Sequence, residues 1–496
     1  MAISRRTLLG HGTALAAAPA GGGLLAGCSS GSAEVTADGR KAGALTWWDQ
    51  YEPVAEVHDR FARVFEKHHP GTAVARQVYN PDQMGQALQL ARKSHQLPDI
   101  TTLAGLEVPG GTPAAGVARL KRDGWFQPLR LSAEARARIP RAGLVEGLNV
   151  FDGEIYGMPL FSDRSHSTLN WFDSRLVEQA GGDPDAGPAT WDEFRALARR
   201  ITRAGDNRVW GWIEGVQFTD RLKQRLVNLA NVAGAAAEWD PATGEYAYAD
   251  ESFVRALEFF KALRDDKVLF PSSTSLDVRT ARSRWASGAA AMFLDGPWNA
   301  GVVRGGFPQF MPRMRVGQIP VPDAGTAPLV HVAYGSTQLF VTADSKRPEL
   351  AAELLGELTG PDYYRGLAEG MDLPPLDLGA VADADVPGVY RRAVRMYAET
   401  VRLLPDPTMN NPRIGDITAR MRQVTPDLGQ IVQGVLVGAL DDPAAALRTY
   451  QSDMSAERDR AIRLSRADGL DASLDDWVFP DWRRGHDYVP GKEGDE

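Results

Sequence analysis

The chain has 496 residues, with 55 Lys+Arg against 64 Asp+Glu, 12 Trp and a single Cys. That length predicts two or three domains, and 43% hydrophobic with 24% charged residues is the make-up of a globular protein with a large core. One cysteine excludes an internal disulfide, no Cys/His cluster is spaced for zinc, and a formal charge of −9 argues against a nucleic-acid partner.

The first 27 residues read as an export signal and stand outside the fold. Ser4-Arg5-Arg6-Thr7-Leu8-Leu9 is a twin-arginine opening, followed by an Ala/Gly-rich apolar stretch too short and too weakly apolar to remain as a membrane span. It ends in Leu25-Ala26-Gly27-Cys28, which resembles a bacterial lipobox, so Cys28 is predicted to be the lipidated first residue of the mature chain. Cleavage removes Arg5 and Arg6 and no acid, taking the formal charge from −9 to −11. A Ser/Gly/Ala stretch over 28–43 predicts a flexible tether. The expected location is exported, lipid-anchored on the outer face of the cell membrane rather than threaded through it.

Ala44-Leu45-Thr46-Trp47-Trp48 predicts a first strand, with a polar loop Asp49-Gln50-Tyr51-Glu52-Pro53 after it. Val54 to His69 carries a helical apolar stripe that stops at Pro70-Gly71; Thr72 to Tyr79 alternates as a second strand. Pro81 to Lys93 predicts a helix and Pro98 to Leu103 a third strand. Strand–helix–strand–helix–strand at this spacing implies a parallel sheet, whose ligands bind beyond the carboxyl ends of its strands. From Thr190 onward helices dominate the pattern, starting with a capping box of Thr190 and Glu193 for a helix to Thr202. Further helices are predicted at Asp220–Ala233, Ser252–Asp266, Val278–Ser287, Pro348–Leu358, Pro387–Leu403, Gly415–Leu440 and Pro443–Ser465. The segment Asp475–Trp482 is apolar enough to dock on the body.

Several motifs occur in an order that resembles the extracellular solute-binding proteins of ABC importers, in the large carbohydrate-binding group similar to maltose-binding protein. They are the first strand ending in Trp, Phe65-Glu66-Lys67-His68-His69-Pro70-Gly71, Pro98-Asp99-Ile100, and Asp152-Gly153-Glu154-Ile155-Tyr156-Gly157-Met158-Pro159. Then come Ala180-Gly181 with Thr190-Trp191-Asp192-Glu193-Phe194, the run Ser287 to Trp298 ending in Asp-Gly-Pro-Trp, and Ser345-Lys346-Arg347-Pro348-Glu349-Leu350-Ala351. The resemblance covers roughly 43–450. It implies an α/β protein of the two-lobe periplasmic-binding-protein fold (type II), each lobe a mainly parallel sheet flanked by helices, with a ligand cleft between them. By analogy lobe I takes 43–157 and 335–371, lobe II takes 158–334 and 372–480, and 481–496 is a tail. One departure stands out: Phe172-Asp173 replaces a Tyr-Asn pair common in the family, and the segment before it looks about three residues longer. Relatives place a ligand-contacting acid there; Asp163, Arg164 and His166 are all candidates.

A sugar presents hydroxyls on its rim and apolar C–H faces, so its site needs flat rings and planar polar groups. Trp48, Asp49, Gln50 and Tyr51 supply both after the first strand; Trp47 is expected in the core, with Trp48 or Tyr51 toward the cleft. The resemblance adds Glu107 beyond the third strand, and Trp298 as the stacking ring with the Asn299 amide beside it. It also adds Tyr334 at the second crossover, Gln217, and Arg413 in the loop Asn410-Asn411-Pro412-Arg413. Trp191, Trp210 and Trp285 are expected as core or cap residues. No metal or cofactor is implied, and no G-x-S-x-G, H-E-x-x-H or P-loop pattern is present. The expected role is a monomeric binding protein that delivers an oligosaccharide to the transmembrane subunits of an ABC permease. The rivals are a secreted carbohydrate-active enzyme, and the same fold holding a non-sugar solute.

Overall fold

The computed structural model describes residues 43–106, 112–335 and 338–488. The predicted leader, Cys28, the predicted tether up to Ala42, and Glu107 lie outside the described residues. In chain order the principal strands are β1 (Ala44–Asp49), β2 (Ala73–Val78), β3 (Ile100–Thr101), β4 (Gly157–Pro159), β5 (Leu169–Asp173) and β6 (Trp210–Ile213). They continue with β7 (Ala290–Asp295), β8 (Met314–Gly317), β9 (Val330–Val332), β10 (Gln338–Val341) and β11 (Val401–Leu403). They sort into one sheet of order β2-β1-β3-β10-β4 and a second of order β8-β5-β7-β6, while β9 and β11 pair with each other. The result is the two-lobe periplasmic-binding-protein architecture.

In the first lobe the alternation of β1 decides which residue enters the core. Trp47 is fully buried, while Trp48 faces the opposite side and packs on Tyr79 with ring centres 5.0 Å apart. Helix Ala55–His68 buries Val57, Ala62 and Phe65 along one stripe, against the cluster that also holds Leu354, Leu355 and Tyr363. Full burial of each large apolar side chain contributes about 1.5–3 kcal/mol.

Both sheets depart from the expectation of mainly parallel pairing. β1 is parallel to β2 and β3, but β10 joins antiparallel to β3 and β4. In the second lobe β6 and β7 are parallel, whereas β5 pairs antiparallel with both β7 and β8. The reason is topological: β10 and β5 enter their sheets from the other lobe rather than through a helical crossover, so they run against their neighbours. Where the chain passes between lobes, Phe161 and Pro375 form an antiparallel bridge. Ser162 N–H donates to the Pro374 carbonyl (2.9 Å) and Leu376 N–H to that of Leu160 (3.1 Å).

Two expected helices are shorter or divided. The pattern from Pro387 ends as helix Gly388–Thr400 and then becomes β11, because the β-branched Val401 finds a partner in Val330. The predicted Gly415–Leu440 helix is two, Ile414–Thr418 and Leu428–Leu436. Pro426 cannot donate within a helix, and Asp427 starts the second piece with a capping box to Gln430. The Thr190–Glu193 capping box forms as expected at the head of helix Trp191–Gly205. Trp477 and Phe479 are buried, so the C-terminal segment docks, and Tyr488 N–H donates to the Leu403 carbonyl (2.9 Å). No helix among the described residues is long and apolar enough to cross a membrane.

Candidate functional site

A cleft of about 630 Å³ lies between the lobes. Ser165, His166 and Ser167 from one crossing segment, and His331, Val332 and Ala333 from another, border it. The first lobe contributes Leu103, Leu106 and the Gly116–Val117–Leu120 face of helix Pro113–Arg122. The second contributes helix Thr219–Ala233, which commits Leu222, Leu226 and Leu229 to the core and so turns Lys223, Gln224 and Asn228 to the cleft. The loop between the two halves of the divided C-terminal pattern adds Arg422 and Gln423, with Tyr450 beyond.

Two of the cleft's charges pair with each other. Lys223 Nζ lies 2.9 Å from Glu238 Oε1, and the Glu238 carboxylate holds the ammonium pKa above its usual value. Glu238 also accepts the Tyr248 hydroxyl (3.1 Å). Among the described residues no group of three or more His, Cys, Asp or Glu is placed to hold a metal ion.

The residues expected after β1 divide by burial. Asp49 is fully enclosed: Arg76 donates to both its oxygens (3.1 and 2.9 Å), His58 Nδ1 lies 3.2 Å away, and Tyr51 N–H donates at 3.0 Å. Burial opposes its charge, yet the His58 and Arg76 contacts keep its pKa below the ordinary value. The ring of Tyr51 is buried edge-on against Phe161, 5.0 Å between centres. Trp48 and Gln50 are half-buried; Gln50 accepts the Thr102 hydroxyl, and Trp48 belongs to the same packed group as the cleft residue Leu106.

On the second lobe Trp298 is half-buried, its indole N–H donating to Asp295 Oδ1 (3.0 Å) and its face covered by Arg221, 4.5 Å from guanidinium carbon to ring centre. Asn299 beside it is wholly buried, and neither atom of its amide has a hydrogen-bond partner among the described residues. Gln217 is exposed and donates to the Thr274 carbonyl (2.7 Å). Tyr334 is buried, its hydroxyl donating to the Tyr488 carbonyl (2.9 Å), and burial lifts its pKa to about 12. Arg413 is exposed and pairs with Asp416.

Of the three candidates in the long segment, His166 borders the cleft. Asp163 and Arg164 instead line a separate 370 Å³ pocket at the crossing segments. Asp163 approaches Gly335 so closely that a Cβ there would meet its Oδ1 at 2.4 Å, and burial raises its pKa to about 7. Arg164 is held by Asp487 of the docked C-terminal segment.

Sequence reasoning missed Lys223, Glu238, His331 and Arg422. It also missed the buried charges behind Trp298: Glu214 with Arg225 (2.8 Å), and Asp295 with Arg282 (2.7 Å). Burial raises Glu214 to about 7, against the pull of Arg225, and lowers Arg221 to about 10. Glu214 stands directly after β6, a strand the helical reading of this region overlooked; its Trp-Gly-Trp-Ile run was the available signal.

The family described as bacterial extracellular solute-binding protein matches residues 50–365. A probable ABC transporter-binding protein of Deinococcus radiodurans is 25% identical over 263 residues, a stretch covering 51% of this chain and 58% of that relative's length. An ABC transporter solute-binding protein of Thermotoga lettingae, solved with α-D-tagatose, superposes with a TM-score of 0.64 at 21% identity, covering 84% of this chain and 99% of that one. The maltotriose-binding protein of Thermus thermophilus, bound with maltotriose, gives 0.60 at 19% identity, covering 84% and 100%. With the family match running over residues 50–365, well over half of its length, the chain belongs to the bacterial extracellular solute-binding proteins.

Proposed function

We propose that this protein captures a carbohydrate, an oligosaccharide by cleft size, between its lobes and delivers it without turnover to the permease of an ABC importer. The observation that carries the reading is the 630 Å³ cleft bordered by the crossing segments, where ligand touches both lobes and the hinge at once. A ligand placed there stabilises the closed state by its differential affinity for it over the open one. Sugar ligands in the similar solved proteins support the chemical class. Trp48 and Gln50 on one lobe and Trp298 on the other, outside the residues that border this cleft, are the proposed aromatic and hydroxyl contacts. The proposal includes lobes bounded near 157, 334 and 371, a monomeric state, and a lipid at Cys28 that tethers the chain to the outer membrane face after twin-arginine export.

Thermal-shift measurement against mono- and oligosaccharides, including tagatose and maltotriose, tests it. A saturating ligand at a hundred times its Kd stabilises by about 2.7 kcal/mol, a shift of a few degrees. No shift with any carbohydrate, or turnover of a labelled oligosaccharide, overturns the reading.

A further inference from the structure

The cleft borders on two buried histidines whose tautomers are set by the backbone. Thr168 N–H donates to His166 Nδ1 (3.1 Å), so the ring must accept there and carry its proton on Nε2. Gly485 N–H donates to His331 Nε2 (3.3 Å), which leaves the His331 proton on Nδ1. His166 is 6% and His331 3% exposed, and both line the cleft. Neither His166 Nε2 nor His331 Nδ1 has a hydrogen-bond partner among the described residues. Two buried, unpartnered N–H donors therefore belong to side chains that line the cleft, one on each of two crossing segments.

Resting on the carbohydrate reading above, we propose that His166 Nε2–H and His331 Nδ1–H are ligand-recognition donors, each giving a hydrogen bond to a sugar oxygen at the floor of the cleft. A hydroxyl or ring oxygen supplies the acceptor that these groups lack, and the two donors sit where lobe closure is decided. A buried donor left without an acceptor is costly, so a ligand lacking oxygens at these places is rejected. Neutrality of both rings suits this role. Burial lowers His166 to about 3, and burial with the Arg484 and Arg402 charges lowers His331 to about 4. The ring neighbours agree: His166 packs edge-on against Tyr397 at 4.9 Å, and His331 against Trp482 at 5.6 Å, with no carboxylate paired to either among the described residues. Gly485 belongs to the docked C-terminal segment, so that segment acts on the site through the His331 tautomer.

The test uses ¹⁵N-histidine-labelled full chain and the sugars of the panel above. Long-range ¹⁵N–¹H spectra are expected to show a neutral Nε2–H ring for His166 and a neutral Nδ1–H ring for His331, unchanged from pH 8 to pH 5. The sugar that stabilises the wild type should bind His166→Phe and His331→Phe about tenfold or more weakly. His166→Gln and His331→Asn place an amide N–H near the original donor and should stay within about threefold, which separates donor loss from misfolding. Rings that titrate near 6.5, the opposite tautomers, or undiminished affinity in the Phe variants would overturn the proposal. If no sugar binds even the wild type, the carbohydrate reading itself fails, an outcome distinct from binding that ignores both histidines.

Discussion

Arg221 covers the indole of Trp298, its guanidinium carbon 4.5 Å from the ring centre, while Asp295 accepts the indole N–H at 3.0 Å. The ring is thus fixed at its edge and capped on one face before any ligand arrives. A sugar that stacks on Trp298 must use the other face or displace Arg221. Replacement Trp298→Ala is expected to abolish the sugar-induced thermal shift while lowering the ligand-free Tm only modestly. Arg221→Ala, measured by the same titration, should change affinity less than Trp298→Ala does.

Asp49 is a different kind of residue from its neighbours Trp48 and Gln50. With Arg76, His58 and the Tyr51 N–H around it, it anchors the loop rather than reaching outward. Asp49→Ala leaves the nearly enclosed Arg76 with only Asp59 as a carboxylate partner, and should cost about 3–5 kcal/mol of stability by denaturant unfolding. Its native pKa is depressed, so its contribution is present above its unfolded pKa of about 3.9 and is lost as pH falls through the lower folded value. An Asp49→Ala variant of unchanged stability but lost binding would return it to the ligand site.

Asp163 works with the opposite sign. Its folded pKa is raised to about 7, so between the unfolded value and 7 the native state holds the extra proton. Stability attributable to it is therefore greatest at low pH and falls as pH rises toward 7, by up to about 4 kcal/mol at 1.36 kcal/mol per unit. Asp163→Asn should flatten that slope in calorimetric scans between pH 5 and pH 8, and a slope identical to wild type would remove Asp163 as its source.

Glu52, in the loop after β1, pairs with Arg279 of helix Val278–Ala286 at 3.4 Å. Both side chains are largely solvated, so the pair is worth at most about 1 kcal/mol. Arg279→Ala should weaken sugar affinity no more than about fivefold, and raising salt in the wild type should produce a similar loss. A larger change would mean that Arg279 contacts the ligand itself.

The lipid proposal has its own readout. Cys28→Ser should move the protein from the membrane fraction to the soluble exported fraction with its sugar affinity unaltered. Retention on membranes would show that another segment holds it there.

What the sequence determined by itself was local and ordered. The Thr190 capping box, the alternation that sends Trp47 inward, and the motif order that resembles the solute-binding family all depend on neighbouring residues. Tertiary structure alone decided the rest, because burial and pairing join residues far apart in the chain. Phe161 meets Pro375, β10 and β5 run against their neighbours and make both sheets mixed, and Arg76 encloses Asp49. The segment around Gly485 returns to His331 across 154 positions. No local pattern signals such an encounter, and it is these encounters that separate a polar side chain held for the fold from one turned toward the cleft.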